Sequence, residues 1–447
     1  MTTRLKGLLT AALESLWFVP LAMLAISQAL VLPALLMGLE PSAGLTLLGF
    51  DDFARKVQEL ESGYDADAAR DLLTMIAGGM VTVISIVFSL SFVALTLTSQ
   101  QIGPRIIDFW LQANVTQALL GLSLSAFFAA LSGLLVLTQG DPGGASSLTA
   151  VLIASVLGSL TLVAVVLFAT RMSEAIRADA TVARVGDMFV AAVAQDKAPR
   201  ADAAEHREAV ELEALARAEG RAIPAATAGY LASVDLDGLA DWARGHGLRL
   251  ALLARENDHL LPGAPLALAL GMHHADGAGG VEDALRARLA LTPRRRRTGV
   301  ADFEGDALAE IAMRALSPSL NDPFTAMACL DRILEGCLRL AALGAPSRLR
   351  REPGGEAIVA APGCGAAWLA PRLIHPVIEA GRDHAQVLET AARGLCALRE
   401  AATAPEDRDA AERLIARVAR AAEGLRDPDD RALVQEALAS GDGRQEG

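Results

Sequence analysis

The chain has 447 residues, of which 52% are of hydrophobic type and 21% charged, and its formal net charge is −13. It is about three times a typical single-domain length and too apolar for one compact soluble domain. The same figures exclude a disulfide-rich secreted scaffold, a collagen, a disordered chain and a polycationic nucleic-acid binder.

Charge is unevenly spread along the chain. Glu14 to Glu40, Asp71 to Arg105, Asp108 to Asp141 and Asp141 to Arg171 enclose 25, 33, 32 and 29 uncharged residues. A hydrocarbon core of roughly 30 Å takes about 20 apolar residues of helix, so residues 1–170 read as a transmembrane region. Its helices are expected near 17–39, 74–98, 117–138 and 147–170. The first carries Pro20 and Pro33 close to its ends, where a lost hydrogen bond matters least. It is too long for a cleavable signal peptide and lacks a small-residue cleavage site before Glu40. Arg4, Lys6, Arg105, Arg171, Arg177 and Arg184 fall on one side of these spans, and Arg55, Lys56 and Arg70 on the other. The positive-inside rule then places both termini in the cytoplasm. Lysine occurs only at Lys6, Lys56 and Lys197, an arginine bias that with abundant Ala and Gly indicates GC-rich bacterial coding and so a bacterial inner membrane.

None of the four windows holds Asp, Glu, Lys or Arg, which disfavours a proton-coupled transporter, since such pathways are marked by ionisable groups. Hydroxyls and amides remain. In the second helix Thr82, Ser85, Ser89, Thr96 and Gln100 lie within about 40° of one direction at 100° per residue. Such a stripe packs helices together, with small polar groups bonding to backbone or neighbours, or lines an aqueous path shared by several subunits.

Beyond Arg171 the periodicity becomes amphipathic. Residues 171–222 read as a helical connector, with a second helix over 201–219. A small α/β segment follows over 223–292, with strands at 228–234, 248–254 and 266–270 and a helix at 236–244. Helices resume at 280–291 and 305–316. Between Leu316 and Phe324 lies the turn Ser317-Pro-Ser-Leu-Asn-Asp-Pro323, where Pro318 stops one helix, Asn321 or Asp322 caps the next and Pro323 fits its first turn. The alternative role of this turn is an anion or partner site, built from Ser317, Asn321, Asp322 and the nearby Arg314. The helical cytoplasmic domain, 293–440, continues with helices over 323–342, 371–401, 405–424 and 427–440, interrupted by a Gly/Pro-rich excursion at 344–366 with a short strand at Ala357 to Ala360. Residues 441–447 read as a disordered tail. The fold class is therefore mainly α: a four-helix N-terminal transmembrane region, then a cytoplasmic α+β domain with a small mixed segment and a helical C-terminal part.

Catalytic chemistry leaves little trace. Cys329, Cys337, Cys364 and Cys396 all lie in the polar half without a C-x-x-C pair, and the His273–His274 doublet has no Cys near it, so neither disulfides, a metal nor another cofactor is expected. Ser317 has no nucleophile elbow or adjacent base, and no phosphate loop occurs. The Arg294 to Arg297 run reads as a solvated connector, or as a contact for anionic lipid headgroups or an acidic partner.

Two segments carry a family resemblance. Phe88-Ser-Leu-Ser-Phe-Val-Ala-Leu-Thr-Leu-Thr-Ser-Gln-Gln-Ile-Gly-Pro-Arg-Ile-Ile107 and Arg314-Ala-Leu-Ser-Pro-Ser-Leu-Asn-Asp-Pro-Phe-Thr-Ala326 resemble the two signatures of the DUF2254 family of predicted bacterial membrane proteins. Trp17-Phe-Val-Pro20, Gly229-Tyr230 and Arg297-Thr298 with Asp302 are also similar. The chain departs from the family pattern at Phe303-Glu304-Gly305, where Phe-Gly usually follows the acidic residue. The resemblance implies four N-terminal membrane helices and a cytoplasmic C-terminal domain, and it carries no catalytic residues.

Together these readings lead to an oligomeric, channel- or transport-like membrane protein embedded in lipid. Its second helix and the following turn, with Gln101, Gly103, Pro104 and Arg105, line or gate a path. The alternative is a membrane-anchored signalling or scaffolding module whose cytoplasmic domain binds a small ligand or a protein partner. Nucleic acid is not an expected partner, and an enzyme is not expected.

Overall fold

The computed structural model describes residues 17–37, 42, 46, 51–63, 65–101, 114–138, 144–175, 177–195, 200–232, 234–271, 278–293, 295 and 301–442. These form two compact units, residues 1–178 and 179–447, and most of the chain is helical.

The first unit contains α1 (Phe18–Leu36), α2 (Asp51–Gly63), α3 (Ala66–Gln101), α4 (Asn114–Thr138) and α5 (Gly144–Ala175). All but α2 are long and apolar enough to cross a membrane. At 36 residues α3 is about 54 Å long, well beyond the hydrocarbon core, and it starts eight residues before the expected position at 74. Its first two turns carry Asp67, Arg70 and Asp71, which the hydropathy pattern excludes but the backbone ladder continues through. The amphipathic α2 went unpredicted because its charges read as loop; Asp51 and Asp52 sit in its first turn, where the helix dipole favours them.

Helix α4 packs against α1, α3 and α5 and is the most buried of the four spans. Small residues bring it close: Ala126, Ala129 and Ala130 are buried, and a Cβ at Gly133 would stand 2.9 Å from the Ala150 Cβ and 3.0 Å from Leu73. This is close packing by small side chains, the usual substitute for hydrophobic driving force within lipid. The core is completed by Val31 and Leu35 from α1, Ala69, Leu73 and Ala77 from α3, and Val151 and Ala154 from α5.

The second unit opens with α6 (Ala178–Ala194) and α7 (Ala203–Glu219), then a mixed sheet region. Its elements are β1 (Arg221–Pro224), β2 (Gly229–Leu231), α8 (Leu236–Gly245), β3 (Arg249–Leu252), β4 (His259–Leu260), β5 (Pro265–Leu270), α9 (Ala278–Arg288) and β6 (Leu291–Thr292). Then come α10 (Asp302–Ala315), α11 (Pro323–Leu343), β7 (Leu349–Arg351), β8 (Ala357–Ala360), α12 (Ala366–Ala380), α13 (Ala385–Ala401), α14 (Pro405–Glu423) and α15 (Pro428–Asp442).

Five strands form one sheet in the order β1-β5-β3-β8-β7, and β4-β2-β6 form a second. Pairing is antiparallel except between β3 and β8, where Leu250 lies opposite Val359 and Ala251 opposite Ala360. The larger sheet is covered on both faces. Leu250, Leu252, Ala267 and Ala269 join α8 through Leu239 and Trp242, while the alternate residues Ala251 and Leu268 join Ala216 of α7. Burial on both faces is why these strands read as unbroken apolar runs rather than alternating ones. Two of the five strands come from the 344–366 excursion, so the sheet reaches beyond the 223–292 segment; β7 and β1 gave no local signal, one being Arg-rich and the other ending on Pro224.

The remaining helices pack as a bundle in which α11, α12, α13 and α14 bury Ile333, Leu373, Leu388 and Leu414. The single helix expected over 371–401 is two helices. Gly381 closes α12 with its N–H on the Val377 carbonyl, and a Cβ there would meet Val387 at 2.7 Å, so no side chain fits the corner.

Candidate functional sites

The hydroxyl stripe of α3 faces away from its own bundle. Thr82, Ser85, Ser89 and Thr96 are all exposed, whereas Leu73, Ala77, Met80, Val87 and Ala94 of the same helix are buried. Three of the hydroxyls donate one turn back along their own helix, Thr82 to the Gly78 carbonyl at 3.2 Å, Ser85 to Val81 at 2.8 Å and Thr96 to Phe92 at 2.8 Å. Their protons are satisfied without a neighbour, and their oxygen lone pairs remain to accept. The side chains of Gln100 and Gln101, together with Gly103, Pro104 and Arg105, lie outside the described residues.

Polar contacts within the bundle use other residues. Ser132 of α4 donates to Gln28 Oε1 of α1 at 2.8 Å, and Arg70 at the start of α3 reaches the Leu137 carbonyl near the end of α4 at 2.7 Å. Gln28 is the one amide within α1, and because it belongs to no stripe the helical periodicity does not single it out.

In the second unit the turn between α10 and α11 is built as a helix start. The Asp322 carboxylate accepts the Thr325 N–H at 3.1 Å and the Thr325 hydroxyl at 2.6 Å, while the Asp322 N–H donates to the Ala315 carbonyl at 2.8 Å. Asn321 takes a left-handed φ of +47°, which Asn tolerates better than other side chains do. Ser317 and Ser319 hydroxyls lie 3.1 Å apart, and Arg314 is in the last turn of α10. The chain's own carboxylate thus sits where an anion at this helix start would. Beside it Phe324 is 75% exposed, and Leu320 is exposed too.

Sequence reasoning missed a buried ionic cluster around the start of α10. Arg295 pairs with both Asp302 and Asp306, and Arg372 grips Asp306 through two bonds, Nε to Oδ1 at 2.9 Å and a terminal nitrogen to Oδ2 at 2.8 Å. Asp302 is 1% exposed. Burial pushes its carboxyl above the ordinary range despite Arg295, and its Oδ1 has no hydrogen-bond partner among the described residues. Burial acts on Asp306 in the same direction, but the bonds and charges of Arg372 and Arg295 together hold it below the ordinary range. The two carboxylates are one turn apart on α10 yet differ because only one receives two guanidinium groups. The Trp368 ring lies 5.2 Å from the Arg372 guanidinium and 5.3 Å from that of Arg255, stacking the cluster against a second arginine. A cavity of about 250 Å³ opens beside it, lined by Arg255, Glu256, Ala301 and Cys364 among others.

Three of the thiols are poor nucleophiles. Burial raises Cys337 and Cys364 to about 12, and raises Cys329 further. Asp407, almost wholly buried, accepts the Ala367 N–H at the start of α12 through Oδ1, and burial pushes its carboxyl up to about 6.

A family model described as a predicted membrane protein, DUF2254, matches residues 13–397. An uncharacterised protein of Mycobacterium tuberculosis is 28% identical over 375 residues, covering 83% of this chain and 71% of its own length. A Mycobacterium bovis protein, also uncharacterised, is similar with the same identity and coverage. No solved structure matches.

Proposed function

We propose that this chain, which belongs to the DUF2254 family of predicted membrane proteins, is a homo-oligomeric channel- or transport-like protein of a bacterial inner membrane. Copies of α3 meet around an axis with the stripe of Thr82, Ser85, Ser89 and Thr96 turned inward, both termini are cytoplasmic, and the second unit regulates the path. The observation that carries this reading is that the long polar stripe of α3 lies on a face its own bundle leaves uncovered. Four hydroxyls facing lipid gain nothing from that solvent, whereas around an axis their lone pairs accept from water or from a neighbouring copy. The intramembrane windows lack ionisable groups, so the path suits neutral solutes or ions that keep much of their hydration.

The test couples mass to flux. Full-length protein in neutral detergent should have an oligomeric mass, and Ser85→Cys should cross-link between copies while Val163→Cys on exposed α5 does not. Ser85→Leu with Ser89→Leu should lower solute or ion flux into proteoliposomes at least tenfold. A monomeric mass, or cross-linking no better at Ser85 than at Val163, overturns the reading.

A second reading, a signalling or scaffolding module, draws on exposed Phe324 and Leu320 at the α10–α11 turn. An aromatic side chain left in water beside a rigid helix cap is the form of a partner anchor. It predicts that Phe324→Ser abolishes partner capture without changing flux.

A further inference from the structure

The cavity of about 250 Å³ in the second unit lies among α6, α11, α12 and the edge of the larger sheet. Its walls are mostly apolar, with Val193, Val234, Leu252, Leu340 and Leu369 among them, yet Arg255 and Arg348 both enter it. Two like charges in one small, partly dry space repel, and burial together with the Arg255 charge pulls the Arg348 guanidinium below its ordinary range.

The chain holds both arginines in place. Arg348 Nε donates to the Ala361 carbonyl at 2.6 Å and Arg255 Nε to the Gly363 carbonyl at 2.9 Å, so two carbonyls two residues apart anchor the pair. Gly363 is required for this, because a Cβ there would stand 2.9 Å from Arg348 Cδ. Trp368 supports the Arg255 plane from beneath. Among the described residues the hydrogen bonds of both side chains run through Nε, and the nearest carboxylate to the Arg348 terminal nitrogens, Glu213, is 3.8 Å away. Among the described residues neither acidic group at the wall is paired with them. Glu256 is turned to the Val234 N–H at 2.8 Å and burial raises its carboxyl, and Cys364 remains a neutral thiol.

We propose that this cavity binds a small organic oxyanion, a carboxylate or phosphate group on a short apolar body, through the terminal guanidinium nitrogens of Arg255 and Arg348. The planar fork of arginine fits either head group, and the apolar walls and volume suit a body of a few carbons. The site is independent of the proposed pore and supplies the second unit with a ligand class.

Thermal unfolding of the full chain in neutral maltoside tests this, with hexanoate, butyl phosphate, inorganic phosphate and hexanol as probes. Hexanoate or butyl phosphate should raise the midpoint by several degrees at millimolar concentration; the one that does so identifies the head group, and a shift with both supports the shared chemistry. Hexanol should give no shift, and inorganic phosphate a smaller one. Arg255→Gln and Arg348→Gln should weaken binding at least tenfold, Arg348→Lys less, and surface Arg393→Gln not at all. Should a Gln variant be unstable on its own, Ala192→Leu fills the cavity while keeping both arginines and should also remove the shift. Absence of a shift with either oxyanion, an equal shift with hexanol, or a shift that survives these variants overturns the proposal.

Discussion

The two units differ in the kind of polar group they bury. In the membrane unit the stripe hydroxyls of α3 face outward, three of them bonded to their own helix, while the interior is closed by small and aliphatic side chains with uncharged hydroxyls such as Ser123 and Ser132 among them. In the second unit charges go inward, Asp302 and Asp306 being buried against a half-buried Arg295, while Phe324 faces out. A serine bonded to its own backbone costs little on an outer helix face, whereas a buried carboxylate needs partners from elsewhere in the chain. The outward stripe of the membrane unit therefore reports what lies outside the bundle. Polar groups within the second unit report what its fold must hold together, or what it is built to bind.

The largest test of this contrast removes one member of the buried cluster. Asp306→Ala leaves Arg295 and Arg372 facing each other without their shared carboxylate and should cost about 3–5 kcal/mol, read as a collapse of the thermal midpoint of the second unit. Adding Arg372→Met should recover part of that loss. The stripe double variant Ser85→Leu, Ser89→Leu should leave subunit stability nearly unchanged. Equal losses in the two experiments would erase the distinction between the units.

Asp407 sharpens the same point through pH. Its folded carboxyl, at about 6, keeps a proton that the unfolded chain, near 3.8, has already lost. Stability is therefore greatest below the unfolded value and falls as pH rises from about 4 to 6, by up to about 3 kcal/mol at 1.4 kcal/mol per unit. In Asp407→Asn the side chain still accepts from Ala367 but cannot ionise, so its midpoint relative to wild type should rise between pH 4 and 7.5. A gap that does not change with pH would show that the carboxyl titrates normally.

Within the membrane unit, Gly133→Leu tests the inward face. Its new side chain would press on Ala150 and Leu73, and an overpacking cost of about 1–3 kcal/mol should lower the SDS fraction needed to unfold the bundle. Ser85→Leu, on the outer face, should leave that midpoint unchanged.

What was legible in the sequence follows the range of the interactions. The four spans and the cap at Asp322 were readable because uncharged run length and cap chemistry are local. The break at Gly381 inside an expected helix was not, because the obstruction there comes from Val387 across the corner. Pairing of β8 with β3 joins residues more than a hundred positions apart, and no local pattern encodes it. The same holds for the cluster, since Arg295, Asp306 and Arg372 look like ordinary surface charges until the fold brings them together. The stripe was visible as a helical direction, but only the packing of α4 against the other face of α3 reveals that it points outward.

The smallest expected effect concerns the signature turn, where local physics and ligand binding make different predictions. Asp322→Ala removes the acceptor for the Thr325 N–H and for its hydroxyl, and a lost cap costs about 1 kcal/mol, or a few degrees in the midpoint of a unit this size. Asp322→Asn keeps an oxygen at the same place and should restore most of the loss. If the carboxylate instead occupies a place meant for an external anion, Asp322→Ala opens that place, and added phosphate should stabilise the variant but not the wild type. A midpoint of Asp322→Ala unmoved by phosphate, with recovery in Asp322→Asn, assigns the residue to the helix start alone. Phe324 would then be the feature of this turn still unexplained by the fold, because its ring takes no part in the cap and is exposed.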